Sequence, residues 1–551
     1  MMKQFLPTLV LFLLALCARA NALDGIVPRP MQIEQHKGSL HVRGITVRCD
    51  PAFDARTRDA VSTFAAKLGF ISGKTCTFSA PLGLKQALAG GKLKGIVFLH
   101  DTSLEPEAYT LLVTPANAVV RACGLNGVLY ALATLRQMLP AAIYGDSIAE
   151  KEHWTLPCCA ISDKPRFAWR GMHLDSSRHF WSVEEVKRYL DVMAMYKLNR
   201  FHWHLTDDQG WRIEILSYPL LSQISCWREG TMVGRDFSSN DHIRYGGFYT
   251  QDEIREVVDY AAARGITVVP EVDLPGHMLA AMAAYPELGC TGGPYAAWTI
   301  WGVSDQVLCA GKESTFRFLE AVLSEVAELF PGEYIHIGGD ECPKTEWEKC
   351  PDCQAKIREL GLHGDAHFSA EQYLQNYVTK RIQDFLATKG KKVIGWDEIL
   401  EGELAPGATV MSWRGTAGAK QAAAHGFDAI LAPTSHCYFD YLQSEDSASE
   451  PLGFNGVVTL EKIYSLDPLE GIAPEQAHHI LGVQANLWTE YISTPEHLEY
   501  MLLPRLLALA EVQWCQEGLR DIARFRRTLA EHEFPVLRLA GYNFREQLTN
   551  F

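Results

Sequence analysis

Eight short apolar segments recur after residue 165, at 170–174, 200–205, 267–272, 334–337, 392–396, 409–413, 429–432 and 481–487. Most are rich in apolar residues, as a strand covered on both faces is. Helical stretches separate several of them: 182–196 opens with Ser182-x-x-Glu185 and 250–263 with Thr250-x-x-Glu253, both capping-box signatures. Eight strand-helix units predict an α/β fold, a (β/α)8 TIM barrel over 161–551. That span exceeds the roughly 250 residues of an ordinary barrel, so long insertions are expected, most plainly at 218–249 and 434–480. An open doubly wound sheet shares the alternation, but no Gly-rich nucleotide loop joins a strand to a helix here. Before the barrel, strand-like pieces at 45–48, 95–99, 109–114 and 118–122 precede a helical stretch at 126–138. They predict a small α+β domain over 23–160, with Ser162-Asp163-Lys164-Pro165 as punctuation.

The 66 acidic and 51 basic side chains give a formal charge of −15. With no basic patch to offset it, binding to nucleic acid or to an anionic membrane surface is excluded. Lys3, an apolar run from Phe5 to Cys17 and small-residue patterns at 18–20 and 20–22 predict a secretory leader over 1–22, hence export to a periplasm or beyond. Lipid attachment at Cys17 is disfavoured by Leu16, where a small residue is normally needed. No later apolar run is long enough to span a bilayer. Of 14 cysteines, 13 remain after the leader, an odd number. Cys350-Pro-Asp-Cys353 invites a zinc reading, but a structural site needs four ligands and no second CxxC or His pair follows. A surface disulfide or buried thiols are expected there, with no metal and no cofactor.

In a barrel the loops after the strands converge on one face. The eight strand ends supply Asp175 to Arg178, Asp207-Asp208, Asp273 with His277, Asp340-Glu341, Trp396-Asp397-Glu398, Trp413-Arg414, Tyr438 with Asp440, and Trp488 with Glu490. Carboxylates and indoles suit a sugar, whose C–H faces lie on aromatic rings and whose hydroxyls bind charged groups. Phosphate recognition would call for lysines and glycine-rich turns. Asp340 and Glu341 can supply one protonated and one ionised carboxyl, and Gly338-Gly339 allow the backbone to approach whatever is bound. Neighbours in an extended segment point to opposite sides, so the pair is ill-placed to act as facing acid and nucleophile. Either a third carboxylate serves or the substrate brings its own nucleophile. Trp203, Trp301 and Trp347 are assigned to packing, as are His202 and His204. A metal-dependent hydrolase using His336, Asp340 and Glu341, and a glycan-binding protein without turnover, are the competing readings. Glu341 argues against the second, since binding needs no proton donor.

The motifs HLDSSRHF (173–180), FHWHLTDDQGWR (201–212), PEVDLPGH (270–277), HIGGDE (336–341), GWDE (395–398), SWRG (412–415) and NLWTE (486–490) together resemble the β-N-acetylhexosaminidases of glycoside hydrolase family 20. The resemblance covers both parts of the chain. It implies an exo-acting, retaining hydrolase of terminal N-acetylhexosamine, in which the 2-acetamido carbonyl attacks the anomeric carbon. Glu341 would be general acid and base, Asp340 would hold the acetamido N–H, and Tyr438 its oxygen. Asp207 and His277 would orient Glu341, with Asp208 the alternative acid. Trp396, Trp413 and Trp488 would wall the acetamido pocket, while Arg178, Asp440 and Glu490 would hold the outer hydroxyls.

Overall fold

A computed structural model describes residues 23–91, 93–402 and 406–548; the expected leader lies outside the described residues. The first domain is a seven-stranded mixed sheet: β1 Gln32–His41, β2 Thr46–Cys49, β3 Thr77–Ser79, β4 Gly95–His100, β5 Tyr109–Val113, β6 Asn117–Ala122 and β7 Thr155–Asp163, in the order β1-β7-β5-β6-β4-β2-β3. Helices Ala55–Ile71 and Leu125–Met138 bury Val61, Phe64, Leu68, Val128 and Leu135 in its core. Strand β7 runs past the expected division at residue 160 and ends at Asp163, because its pairing with β5 continues to Tyr109 opposite Asp163.

The expected barrel is closed by eight parallel strands: β8 Trp169–Asp175, β9 Arg200–His204, β10 Thr267–Glu271, β11 Tyr334–His336, β12 Lys392–Trp396, β13 Thr409–Ser412, β14 Ala429–Leu431 and β15 Ile480–Ala485. Both expected capping boxes form, with the Ser182 and Thr250 hydroxyls accepting from the Glu185 and Glu253 amides. Register fixes what meets inside. Asp175 pairs with His204, His204 with Glu271, and Glu271 with His336, which aligns these four at the carboxyl ends of neighbouring strands. Long connections follow not only β9 and β14 but also β10 and β11, spanning 272–333 and 337–391. Among the described residues no helix is long and apolar enough to cross a membrane.

Two ion pairs, one of them fully buried, join the domains below the barrel. Lys197 and Asp163, both fully buried, meet at 3.0 Å; Asp163 also accepts from Tyr109, Trp514 and the Met31 amide. Arg170 Nη2 reaches Glu107 at 2.7 Å and donates to Tyr130. Removing one partner leaves a buried charge unpaired, which costs more than the pair contributes. Asp163→Ala is therefore expected to lower unfolding free energy by about 3–5 kcal/mol, and adding Lys197→Met to recover much of the loss in denaturant titrations. A single variant as stable as the parent would show that the pair does not join the domains.

Candidate active site

The site grows from the register at the barrel mouth. Glu271 lies at the end of β10 among apolar neighbours, and a buried carboxylate there needs partners. It has four: the ring nitrogens of His202 and His336, each at 3.0 Å, His204 Nδ1, and the Trp396 indole N–H at 2.9 Å. His202 and His204 are therefore not plain packing. His204 Nε2 reaches Asp207 Oδ2 at 3.0 Å, which links the barrel interior to its mouth.

Asp207 sits at a small hairpin, Thr206-Asp207 against Gly210-Trp211, that turns the chain back over the mouth. Arg178 Nη2 lies 2.9 Å from Asp207 Oδ2, and His277 Nδ1 lies 3.2 Å from Oδ1. Burial opposes ionisation of Asp207, yet Arg178, His277 and His204 outweigh it and hold the carboxyl well below its ordinary range. Burial likewise works against charge on His277, but Asp207, aided by Asp208 and Glu341, holds its pKa well above the imidazole range. Asp208 Oδ2 approaches the same nitrogen at 3.4 Å, so both acids face His277; Asp207 is also the carboxylate held by Arg178 and His204.

His277 Nε2 lies 3.6 Å from Glu341 Oε2. The Glu341 side chain is 43% exposed, accessible to an incoming ligand. His277 and Glu341 have φ of 51° and 43°, left-handed conformations that non-glycine residues adopt at some cost and that recur where function fixes the backbone. This corrects the expectation of an extended segment at the acid pair. β11 ends at His336, and the chain then turns through Gly338 and Gly339, both at positive φ. The first glycine makes room for protein rather than ligand: a Cβ on Gly338 would lie 1.7 Å from Asp273 Oδ1, which accepts from the Gly339 amide.

Asp340 Oδ1 is buried with no partner among the described residues. Burial pushes the Asp340 pKa up to about 6, Glu271 and Glu341 adding to the rise and His277 opposing it. Tyr438 lies within electrostatic reach of both Asp340 and Asp440, and burial and these acids hold its pKa well above the phenol range. Burial and then Glu490 raise the Asp440 pKa well above its ordinary range, and its Oδ1 also lacks a partner among the described residues. Glu490 lies 4.0 Å from Arg178. The structure thus brings Glu341, His277, Asp207, Arg178, Glu490, Asp440, Tyr438 and Asp340 into one circuit around the mouth.

Trp396, Trp413 and Trp488 share one cluster. Trp396 is 1% exposed and lies deepest, its ring 6.1 Å from that of Trp488, while Trp413 and Trp488 remain partly open. Trp413 runs nearly parallel to Tyr438 at 6.3 Å and donates to Glu398. Burial and the Asp340 charge push Glu398 up to about 8. Asp175 and Glu398 stand among the strand-end residues without an assigned role; Glu271 and Gln209, which accepts from Arg178 Nε at 2.9 Å, are not among them. Only Glu271 gave a usable signal, as an acid inside a buried strand. Trp203, Trp301 and Trp347 are buried, Trp301 against His179 and Arg228. Among the described residues His336, Asp340 and Glu341, the ligands of the metal-hydrolase alternative, do not gather in one cluster; His336 meets His202 and Glu271 instead.

The segment carrying Tyr438 and Asp440 is irregular but fixed. The buried Arg505 guanidinium donates to the Phe439, Tyr441 and Val458 carbonyls. Arg212 does the same for the first loop and the long insertion, donating to Ser176, Ser177, Cys226 and Gly247.

A barrel whose mouth gathers acids and indoles in this way has the form of a glycoside hydrolase. Residues 167–517 match the glycosyl hydrolase family 20 catalytic domain and residues 24–164 that family's domain 2; the chain belongs to this family. It is 42% identical over 509 residues to a beta-hexosaminidase of Porphyromonas gingivalis, covering 92% of this chain but only 62% of that protein. It is also similar to the structure of Streptomyces plicatus N-acetyl-beta-hexosaminidase bound to Thio-NAglucal, with TM-score 0.81, 34% identity, and coverage of 95% and 97% of the two chains. An exo beta-N-acetylglucosaminidase of Vibrio harveyi in complex with N-acetylglucosamine gives the same TM-score and identity over 95% of this chain and 78% of that one.

Because the folded-state pKa of Asp340 is raised, the fold disfavours its ionised form. That cost is absent below about pH 4, where the carboxyl is protonated folded or unfolded, and is complete above about pH 6. Asp340→Asn is expected to raise the melting temperature by roughly 2 °C at pH 7.5, with the difference vanishing near pH 4. A gain that is the same at both pH values would assign it to packing instead.

Proposed function

We propose that the protein is an exo-acting β-N-acetylhexosaminidase that releases terminal non-reducing N-acetyl-β-D-hexosamine from glycans or chito-oligosaccharides, with retention, by a substrate-assisted mechanism. The observation that carries this reading is the buried, unpartnered Asp340 Oδ1, with the Tyr438 hydroxyl near enough to feel its charge. A secondary amide has one donor and one acceptor, and this acid and phenol are their complements. The Vibrio harveyi neighbour, solved with N-acetylglucosamine, supports the same ligand class.

The 2-acetamido carbonyl oxygen attacks C1 as the C1–O bond to the leaving group breaks, and Glu341 gives its proton to the departing oxygen. The oxazolinium that results keeps its N–H on Asp340, whose negative charge offsets the new positive one, while Tyr438 donates to the former carbonyl oxygen. Glu341, now a carboxylate beside His277, takes a proton from water; the water oxygen adds to C1 and reopens the ring. Two inversions give net retention. His277, held by Asp207, positions Glu341 in both steps. Arg178, Asp440 and Glu490 close the outer end of the mouth around the terminal sugar's hydroxyls, with Trp413 and Trp488 against its C–H faces and Trp396 beneath them. No cofactor enters these steps. We also read the chain as exported, on the strength of its apolar leader.

Glu341→Gln is expected to leave the fold and sugar binding intact and to lower kcat on 4-nitrophenyl N-acetyl-β-glucosaminide by at least a hundredfold; an undiminished rate would remove Glu341 from the mechanism. A glucosaminide lacking the acetyl group is expected to be hardly cleaved, and its rapid hydrolysis would show that the enzyme supplies the nucleophile.

A further inference from the structure

The pair Cys350-x-x-Cys353 gains in the folded chain what the sequence did not show, two further thiols. Cys290 and Cys309, from the long connection after β10, come to it so that all four sulfurs lie within 4.8 Å of one another. Cys309 Sγ is 3.7 Å from Cys350 Sγ and 3.6 Å from Cys353 Sγ, and Cys290 Sγ is 3.9 Å from Cys353 Sγ. Cys309, Cys350 and Cys353 are buried and Cys290 is half-buried. A tetrahedral Zn²⁺ with sulfur ligands at about 2.3 Å sets its sulfurs about 3.8 Å apart. The spacings match that figure, and Cys309 stands equally near two partners, whereas a disulfide would draw it to one. We propose that these four cysteines bind one structural zinc ion.

The surroundings favour thiolates. Cys350 caps the helix Pro351–Leu360, and Cys353 lies in its first turn, where the helix dipole stabilises negative charge. Gly311 sits so close that a Cβ would fall 2.2 Å from the Asp352 carbonyl carbon, which holds the Cys309 strand of the loop against that helix. Binding converts four thiols to thiolates and releases four protons to solvent. Sulfurs held by zinc are also withdrawn from oxidation in an exported protein.

The position explains what the ion would do. The Leu308 amide donates to the Pro275 carbonyl, two residues before His277, and the Leu308 carbonyl accepts from Trp347, six residues after Glu341. Zinc at this cluster ties the connection after β10 to the connection after β11, behind the two loops that present His277 and Glu341. Its role is structural, and it stands whether or not the proposed hydrolysis is right.

The test uses the full chain purified without chelator or added metal. Elemental analysis is expected to find one zinc per chain, released on denaturation to a colorimetric chelator, and Cys309→Ser and Cys350→Ser to lose it. Cobalt-grown protein is expected to show the visible bands of tetrahedral thiolate coordination, a readout independent of whether the variants fold. Alkylation of the denatured, unreduced and chelator-treated chain is expected to label all four cysteines. Three outcomes would overturn the proposal: Cys290, Cys309, Cys350 and Cys353 recovered as disulfide-linked peptides, four free thiols with no bound metal, or iron in place of zinc.

Discussion

The Asp207 carboxylate is the junction on which the barrel mouth depends. One oxygen is shared by Arg178 and His204, and the other by His277 and the Asp208 amide. An anion this deeply buried is tolerable only because each lone pair is used, and most of its partners carry or can carry positive charge. Through His204 it is tied to Glu271 and the barrel interior; through Arg178 to the outer rim; through His277 to Glu341. Each link constrains the next, so the exposed acid at the end is positioned in part by His204 and Glu271 inside the barrel.

Such a network needs a scaffold that does not yield. The barrel supplies it by register, which sets His204, Glu271 and His336 side by side. Irregular loops would otherwise leave their carbonyls unpaired, and Arg212 and Arg505 answer this with buried guanidinium groups that each gather several carbonyl oxygens. The first domain braces the opposite end of the barrel through Asp163 and Glu107, leaving the mouth open. At the mouth the left-handed turns at His277 and Glu341 aim two side chains at one another.

The barrel was legible because strands buried on both faces are rich in apolar residues, and most of the eight were, although Arg200–His204 carries Arg200, His202 and His204. The acids and indoles at the strand ends were legible because such residues are costly there without a purpose. What escaped did so for physical reasons. Strand β1, QIEQHKGSLH, is a sheet edge with mostly exposed side chains, so it carries no apolar period. The exception is helix Ala55–Ile71, whose Val61, Phe64, Ala65 and Leu68 do carry a helical period. Glu271 was visible as an acid among Val268, Val269 and Val272, but its four partners come from three other strands. The cysteine cluster was out of reach, since Cys290 and Cys309 meet Cys350 and Cys353 only when two loop excursions fold against each other.

The central claim is chemical: the sugar's own amide oxygen displaces the leaving group, and the protein holds that amide between Asp340 and Tyr438. The most direct measurement is kcat/KM for a series of aryl glycosides whose N-acetyl group carries none, one, two or three fluorine atoms. Fluorine drains electron density from the carbonyl oxygen with little change in size. A steep, monotonic fall in rate along the series is predicted; rates that stay level would show that the amide is only a handle for binding and that the nucleophile lies elsewhere.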